Sequence, residues 1–100
     1  MSNITVIGMG LMGGSLIKAL KLSNQNYNIY AIDTNKENIE SALKYGYIEK
    51  GYFNYDNIKD LIELSDIIMI CTLPSIAIDI IGKYKHLIDN KKNNFQISAE

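Results

Sequence analysis

The sequence predicts an α/β fold in which a parallel sheet is covered by helices on both faces. Two observations carry this prediction. Short β-branched runs that are apolar on both faces alternate with segments of helical periodicity. The elements follow one another as strand, helix, strand, helix, a further short helix, strand, helix and strand, an order typical of right-handed βαβ units that share one sheet.

The first βαβ unit occupies the first third of the chain. Residues 4–7 form its first strand, and residues 8–14 are a glycine-rich break. Apolar residues at helical spacing predict a helix from Leu16. Residues 27–32 predict the second strand, which ends at Asp33.

The second helix has recognisable signals at both ends. Thr34 and Glu37 have the T-x-x-E spacing of a capping box, in which two side chains satisfy amides of the first helical turn. Gly46 is placed where a left-handed residue commonly ends a helix. A Tyr- and Gly-containing stretch follows, and residues 57–64 then predict a short helix.

Residues 66–72 form the most strand-like run in the chain. Pro74, the single proline, ends this strand because proline cannot donate to a sheet ladder. We expect Ser75 to cap the next helix. Residues 90–94 predict a polar turn, and residues 95–98 predict the opening of another strand.

Composition limits the classes of function. With 100 residues the chain is one small domain, and it is short for a complete dinucleotide-binding enzyme. A net charge of -1 without a basic face excludes nucleic acid as a partner. Cys71 is the single cysteine, so a disulfide framework is excluded and a reducing compartment is favoured. The longest apolar run, residues 67–73, is far shorter than the roughly 20 residues of a membrane-spanning helix, and the N-terminus lacks a signal peptide. We therefore expect a cytoplasmic protein that does not contact membranes.

Residues 8–13 have the pattern G-x-G-x-x-G. The pattern alone is weak, but here it follows an apolar strand, precedes a helix, and has Asp33 about 20 residues further on. This context predicts a Rossmann-type dinucleotide-binding domain, of which only the N-terminal part is present. Gly8 would permit the tight turn, Gly10 would let the pyrophosphate approach the backbone, and Gly13 would let the helix pack closely on the sheet.

Leu11 and Met12 lie between the second and third glycines and would complete the phosphate-binding turn. Backbone amides and the helix dipole favour negative charge at this position. The alternative is a glycine-rich turn in another α/β protein, in which Asp33 serves only to start a helix.

Asp33 also predicts the cofactor. Its carboxylate would accept hydrogen bonds from the adenosine ribose and would repel a 2′-phosphate, and Thr34 follows it where an NADP-binding protein could carry arginine. NAD is therefore favoured over NADP, although Lys36 lies close enough in sequence to oppose this preference.

Thr72, Leu73 and Pro74 follow the strand at residues 66–72. Because open α/β sheets bind ligands beyond the carboxyl ends of their strands, these residues are candidates for contact with the nicotinamide-side ribose and phosphates. They could equally form an ordinary turn between a strand and a helix.

Other conspicuous residues are assigned structural roles. We expect His86 to lie on the surface near a helix end, Cys71 to be buried as a small apolar residue, and Met9 and Met12 to pack beside the turn. The tyrosines at positions 45, 47, 52 and 55 are expected to pack at loops and rims, because no basic groove accompanies them. No cluster has the spacing of a metal site.

The segment ITVIGMGLMGGSL, residues 4–16, resembles the start of prephenate dehydrogenases, whose glycine loop commonly reads GLGLMGGSL. The part that discriminates is Gly14-Ser15-Leu16. Hydroxyisobutyrate and 6-phosphogluconate dehydrogenases share G-x-G-x-M-G but usually continue differently. The resemblance extends over nearly the whole chain.

This resemblance implies that residues 1–100 are a truncated NAD(P)-binding Rossmann domain. A helical C-terminal domain, absent from the chain, would supply much of the substrate pocket and of a homodimer interface. The family's catalytic histidine and serine lie beyond Glu100, and His86 does not match that histidine. No residue here is therefore assigned a catalytic role, and we expect the chain alone to be inactive.

The implied activity is that of an oxidoreductase in the biosynthesis of tyrosine, an aromatic amino acid. Prephenate is oxidatively decarboxylated to 4-hydroxyphenylpyruvate, with hydride passing to the nicotinamide. The sequence leaves open whether the substrate is prephenate or arogenate. Two alternatives also stay open: a β-hydroxyacid dehydrogenase of the hydroxyisobutyrate or 6-phosphogluconate type, and a regulatory module that binds NAD without turnover.

Overall fold

The computed structural model describes residues 2–23, 26–89 and 95–97. The strands are β1 (Ser2–Ile7), β2 (Tyr27–Ile32), β3 (Lys50–Tyr52), β4 (Ile67–Ile70) and β5 (Phe95–Ile97). The helices are α1 (Leu11–Leu22), α2 (Lys36–Lys44), α3 (Ile58–Leu64), α4 (Pro74–Lys83) and α5 (Lys85–Asp89).

The strands form one parallel sheet in the order β3-β2-β1-β4-β5. On one edge β1 pairs with β2, with Ile7 opposite Ile32, and on the other edge it pairs with β4, with Ile7 opposite Ile70. The chain thus places β2 and β3 on one side of β1, and then β4 and β5 on the other side. The carboxyl ends of β1 and β4 border the point where the strand order reverses, which is where open α/β sheets bind ligands. The predicted Rossmann-type parallel sheet is confirmed.

Helices cover both faces of the sheet, as predicted. One apolar cluster joins α1 and α2 to the sheet, and a second joins α3, α4 and α5 to its opposite face. The two clusters alternate along β2, where Ala31 belongs to the first and Ile32 to the second. Both side chains are completely buried. Because full burial of an isoleucine side chain stabilises a fold by about 1.5–3 kcal/mol, these clusters hold the layers together.

The two ends of α2 differ in how well the sequence predicted them. Gly46 has a φ of 72°, and its N–H donates to the Leu43 carbonyl while the Tyr47 N–H donates to the Ala42 carbonyl. This is the glycine-ended helix that was predicted. The capping box of Thr34 and Glu37 was wrong: the cap is Asn35, whose Oδ1 accepts a hydrogen bond from the Glu37 N–H at 3.0 Å.

Two other helices begin earlier than predicted. Helix α1 starts at Leu11, not Leu16, and therefore includes Gly13. A Cβ at Gly13 would overlap the carbonyl oxygen of Gly8, so the missing side chain lets the helix begin directly against the turn. Helix α4 starts at Pro74, whose fixed φ suits a first helical position. The cap of α4 is Leu73, so the predicted cap at Ser75 was wrong.

Strand β3 was not predicted from the sequence. It is three residues long and its middle residue is Gly51, which has little preference for strands. A Cβ at Gly51 would overlap Cγ2 of Ile39, so the glycine lets α2 pack onto the edge of the sheet. The remaining strands agree with prediction within a few residues, and the predicted turn at residues 90–94 lies outside the described residues.

Within the described part of the chain, no helix combines the length and apolar character needed to cross a membrane.

The close packing of α1 gives opposite predictions for two helical glycines. Gly13→Ala should lower the free energy of unfolding by about 1–3 kcal/mol, because an inserted methyl group must displace the Gly8 backbone. Gly82→Ala is the matched control: nothing lies within 4 Å of a Cβ there, and alanine in a helix should raise stability by up to about 1 kcal/mol. Urea denaturation measures both changes, and a Gly13→Ala variant as stable as the native protein would contradict this packing.

Candidate functional site

The turn after β1 requires glycine at its first position. Gly8 has a φ of 91°, a conformation that residues with side chains rarely adopt. A Cβ there would lie 2.9 Å from the carbonyl oxygen of Cys71 and 2.9 Å from Cγ2 of Thr72. The Gly8 N–H donates to the Ile32 carbonyl at 2.7 Å, which ties the turn to the end of β2. The turn is thus held between the carboxyl ends of β2 and β4.

Helix α1 begins immediately after this turn. Gly10 is its N-cap and brings no side-chain acceptor to the amides of the first turn, which contains no acidic residue. Leu11 and Met12 are the first two residues of the helix. The amide end of α1 therefore faces the sheet's carboxyl edge without a negative side chain of its own, an arrangement suited to a phosphate group.

Asp33 lies directly after β2 and is half-buried beside the glycine turn. Its Oδ2 accepts hydrogen bonds from the Met9 N–H and from the Asn38 side-chain amide, each at 3.0 Å. Its Oδ1 accepts a hydrogen bond from the Asn35 N–H at 2.9 Å. The carboxylate is therefore fixed by three donors, and it joins β2, the glycine turn and the start of α2.

The backbone of Asp33 is also held in place. Its N–H donates to the Tyr52 carbonyl of β3 at 3.0 Å. Tyr55, in the loop after β3, lies near enough that the Asp33 charge acts on its phenol. Burial raises the pKa of Tyr55 above its ordinary value, and the negative charge of Asp33 raises it further. The phenol consequently stays protonated and neutral at physiological pH.

The residues after β4 reach the same edge of the sheet. Thr72 is buried against Gly8, and its hydroxyl donates to the Leu73 carbonyl at 3.3 Å. Leu73 is 59% exposed and Pro74 is also exposed, so this turn presents apolar surface to solvent beside the glycine turn. The structure thus brings the two predicted turns into contact. Thr34, the residue after Asp33, is exposed.

Two grooves adjoin this edge. The first, of about 710 Å³, runs between α1 and α2 and is lined by Gly10, Gly14, Lys18, Asn38 and Ser41 among others. The second, of about 290 Å³, lies on the opposite face of the sheet. It is lined by Tyr55, Ile58, Ile76, Asp79, Ile80, Lys83 and Tyr84. Through Asn38 and Tyr55, the two grooves approach Asp33 from opposite sides.

The structure brings in three groups that sequence reasoning did not assign to the site: the Met9 amide, Asn38 and Tyr55. Met9 is buried, which agrees with its predicted packing role, but its N–H also binds Asp33. Asn38 is the third residue of α2, a position from which a side chain can reach back toward the residues before the helix. The position of Asn38 relative to Asp33 was therefore the sequence signal that could have identified this contact.

Surface or core positions are found for His86, Cys71 and the four tyrosines, to which structural roles were assigned, and Tyr55 also lies near Asp33. His86 is exposed on α5, and Cys71 is buried at 1% exposure. Of the four tyrosines, Tyr47, Tyr52 and Tyr55 pack against the core clusters, while Tyr45 is exposed. Among residues 2–23, 26–89 and 95–97 no group of three or more potential ligands could hold a metal ion.

Known proteins match this chain in sequence and in fold. Residues 3–93 match the family described as the NAD binding domain of 6-phosphogluconate dehydrogenase. A solved prephenate dehydrogenase from A. aeolicus, in complex with hydroxyphenyl propionate and NAD+, is 27% identical with a TM-score of 0.74 over 99% of this chain and 33% of its own. A second structure of prephenate dehydrogenase from Aquifex aeolicus is 26% identical with a TM-score of 0.78, over 100% of this chain and 34% of its own.

The chain therefore spans about a third of the length of these two solved chains. The comparisons confirm the Rossmann-type fold, the resemblance to prephenate dehydrogenases and NAD as the cofactor type. The chain belongs to the family of the NAD binding domain of 6-phosphogluconate dehydrogenase, and it is an NAD-binding domain of the dehydrogenase type.

Proposed function

We propose that this chain is the dinucleotide-binding part of a prephenate dehydrogenase, which oxidatively decarboxylates prephenate to 4-hydroxyphenylpyruvate in tyrosine biosynthesis. The observation that carries the cofactor role is the Asp33 carboxylate, held by the Met9 amide beside the glycine turn at the carboxyl edge of the sheet. This geometry supports a ribose acceptor beside a phosphate-binding turn.

The pyrophosphate is proposed to bind across the turn formed by Gly8, Gly10, Leu11, Met12 and Gly13. The positive φ of Gly8 and the tight packing of Gly13 bring the first turn of α1 to the sheet edge. Gly10 caps that turn without a side chain in the way. Backbone amides and the helix dipole would then stabilise the phosphate charge.

The adenosine ribose is proposed to bind at Asp33, with Thr34 beside it. The carboxylate accepts hydrogen bonds from ribose hydroxyls and repels a 2′-phosphate, which favours NAD over NADP. Lys36 was the residue most able to oppose this preference. Its Nζ lies 5.5 Å from the centre of the Phe53 ring, a cation–π contact that directs the charge to that ring.

The second groove is proposed to hold the adenine ring. It begins at Tyr55, beside Asp33, and its walls are apolar at Ile58, Ile76 and Ile80. Asp79, Lys83 and Tyr84 add polar groups to these apolar walls, and such a combination suits a flat heterocyclic ring. Thr72, Leu73 and Pro74, at the strand-order reversal, are proposed to border the nicotinamide-side ribose and phosphates.

Bound NAD+ supplies the hydride acceptor for the reaction. The residues of this chain bind and orient it, and we assign none of them a role in proton transfer. The substrate choice is supported by the two prephenate dehydrogenase structures, one of which holds hydroxyphenyl propionate with NAD+. A helical C-terminal domain that completes the substrate pocket and a homodimer is part of this proposal, as is a cytoplasmic location. Arogenate is the other substrate of this class.

A β-hydroxyacid dehydrogenase of the 6-phosphogluconate type is the second candidate. It is favoured by the family match over residues 3–93. NADH production by the complete protein with prephenate, arogenate, 6-phosphogluconate or hydroxyisobutyrate separates the candidates. Activity with either of the last two substrates, and with neither of the first two, would replace our proposal by this one.

Gly10→Val should abolish detectable dinucleotide binding while the protein stays folded. The valine side chain would occupy the space that the pyrophosphate needs. Calorimetric titration with NADH measures the change. Gly82→Val is the matched control, because Gly82 lies in a helix with nothing within 4 Å of its Cβ position, and it should bind NADH like the native protein. Native affinity in a folded Gly10→Val variant would overturn the phosphate-binding assignment.

Asp33→Ala should weaken NADH binding by roughly ten- to a hundredfold, the scale of a lost hydrogen bond to a charged group. Affinity for NADPH should fall less, because repulsion of the 2′-phosphate disappears as well. Asp33→Asn should likewise reduce the preference for NADH over NADPH. Asp60→Asn, an exposed residue in the first turn of α3, serves as the control. Tighter binding of NADPH than of NADH by the native protein would show that the cofactor preference is wrong.

Residues 1–100 by themselves should bind cofactor weakly and show no turnover with prephenate. We assign no catalytic group to this chain, and the site would be open to water without the proposed second domain. Absorbance of NADH, followed with prephenate and NAD present, tests this, and the complete protein is the positive control. Steady prephenate-dependent NADH production by residues 1–100 would contradict the proposed division between binding and chemistry.

A further inference from the structure

We infer that Asn38 is a positioning residue that fixes the Asp33 carboxylate and thereby sets the selection of NAD over NADP. This inference rests on the proposed binding of the adenosine ribose at Asp33, and it goes beyond that proposal by assigning the selectivity to a second side chain.

One oxygen of the Asp33 carboxylate is shared by two hydrogen-bond donors. Oδ2 accepts hydrogen bonds both from the Met9 N–H and from the Asn38 Nδ2, each at 3.0 Å. The orientation of the Asn38 amide follows from its chemistry, because its oxygen would be repelled by the carboxylate while its NH₂ group is attracted. Asn38 is half-buried in the first turn of α2, so its side chain is held close to the carboxylate.

Fixing the carboxylate matters because selection depends on its direction. A carboxylate accepts about four hydrogen bonds, and Met9, Asn35 and Asn38 supply three. A carboxylate held in this way cannot rotate freely. It presents its remaining acceptor position to a ribose hydroxyl in a fixed direction, and it cannot turn away from a 2′-phosphate.

Asn38 differs from the other two donors because its contribution comes from a side chain. Met9 and Asn35 donate through backbone N–H groups, whose positions follow from the turns. Asn38 also lines the groove of about 710 Å³ between α1 and α2, together with Lys18 of α1. Without the Asn38 side chain, the carboxylate would adjoin this groove and would be free to turn into it.

The test is titration of the complete protein with NADH and with NADPH. Asn38→Ala should weaken NADH binding by up to about tenfold, because realigning a released Asp33 carboxylate for the ribose costs part of the free energy of a hydrogen bond to a charged group. NADPH affinity should stay the same or rise, so the ratio of the two affinities narrows. Asn38→Leu keeps a similar volume without the donor and should give the same result, which separates the hydrogen bond from the filling of the groove.

A double-mutant comparison shows whether Asn38 acts through Asp33. In an Asp33→Ala background, Asn38→Ala should change neither affinity further. A general loss of stability would weaken the binding of NADH and of NADPH equally and leave the ratio of the two affinities unchanged. Ser41→Ala is the matched control, because Ser41 lies one turn further along α2 and lines the same groove. It should keep the native ratio.

Two results would overturn the inference: a native affinity ratio in both Asn38→Ala and Asn38→Leu, or an equal loss with and without Asp33. Failure of the proposed function gives a different pattern. If Gly10→Val and Asp33→Ala bind NADH like the native protein, the site itself is misassigned. If those two variants lose binding as expected and the Asn38 variants keep the native ratio, then the role of Asn38 alone is wrong.

Discussion

The contact between Gly13 of α1 and the carbonyl oxygen of Gly8 is the constraint on which the rest of this site depends. A Cβ would not fit between them. Because Gly13 has none, α1 can begin directly against the end of β1. Had the helix started at Leu16, as periodicity suggested, its first amides would lie farther from the sheet edge. The same approach holds the turn so that its Met9 amide points at Asp33.

The charged side chain of Asp33, beside the glycine turn, also stabilises the fold. The Asp33 carboxylate accepts hydrogen bonds from the glycine turn and from two residues at the start of α2. Hydrogen bonds to a charged group each contribute about 1.5–3 kcal/mol, and so Asp33 stabilises the relative placement of β1, β2 and α2. The residue proposed to select the cofactor is therefore also part of what shapes its binding site.

The features visible in the sequence were those with local signals. The glycine pattern, the spacing to Asp33, the glycine that ends α2 and the strongly apolar strands each depend on a few neighbouring residues. Strand β3 was invisible because Gly51 is required by the packing of Ile39 from another element. The cap of α2 fell on Asn35 instead of Thr34 because Asp33 binds the Asn35 amide and sets where the helix begins. Asn38 had a local signal in its position at the start of α2, whereas Tyr55 joins the site through a contact with Asp33 that no local pattern encodes.

The family match and the two solved neighbours name different dehydrogenases, and the structure explains how both can hold. The elements of this chain build a glycine turn and, beside it, a carboxylate held by three donors, and both features suit a dinucleotide. Neither of these features depends on what is oxidised, because NAD carries the same adenosine and pyrophosphate into every reaction that uses it. Similarity in this part of the chain therefore reports how the cofactor is bound. Substrate identity has to be encoded elsewhere, where the nicotinamide meets the molecule that it oxidises.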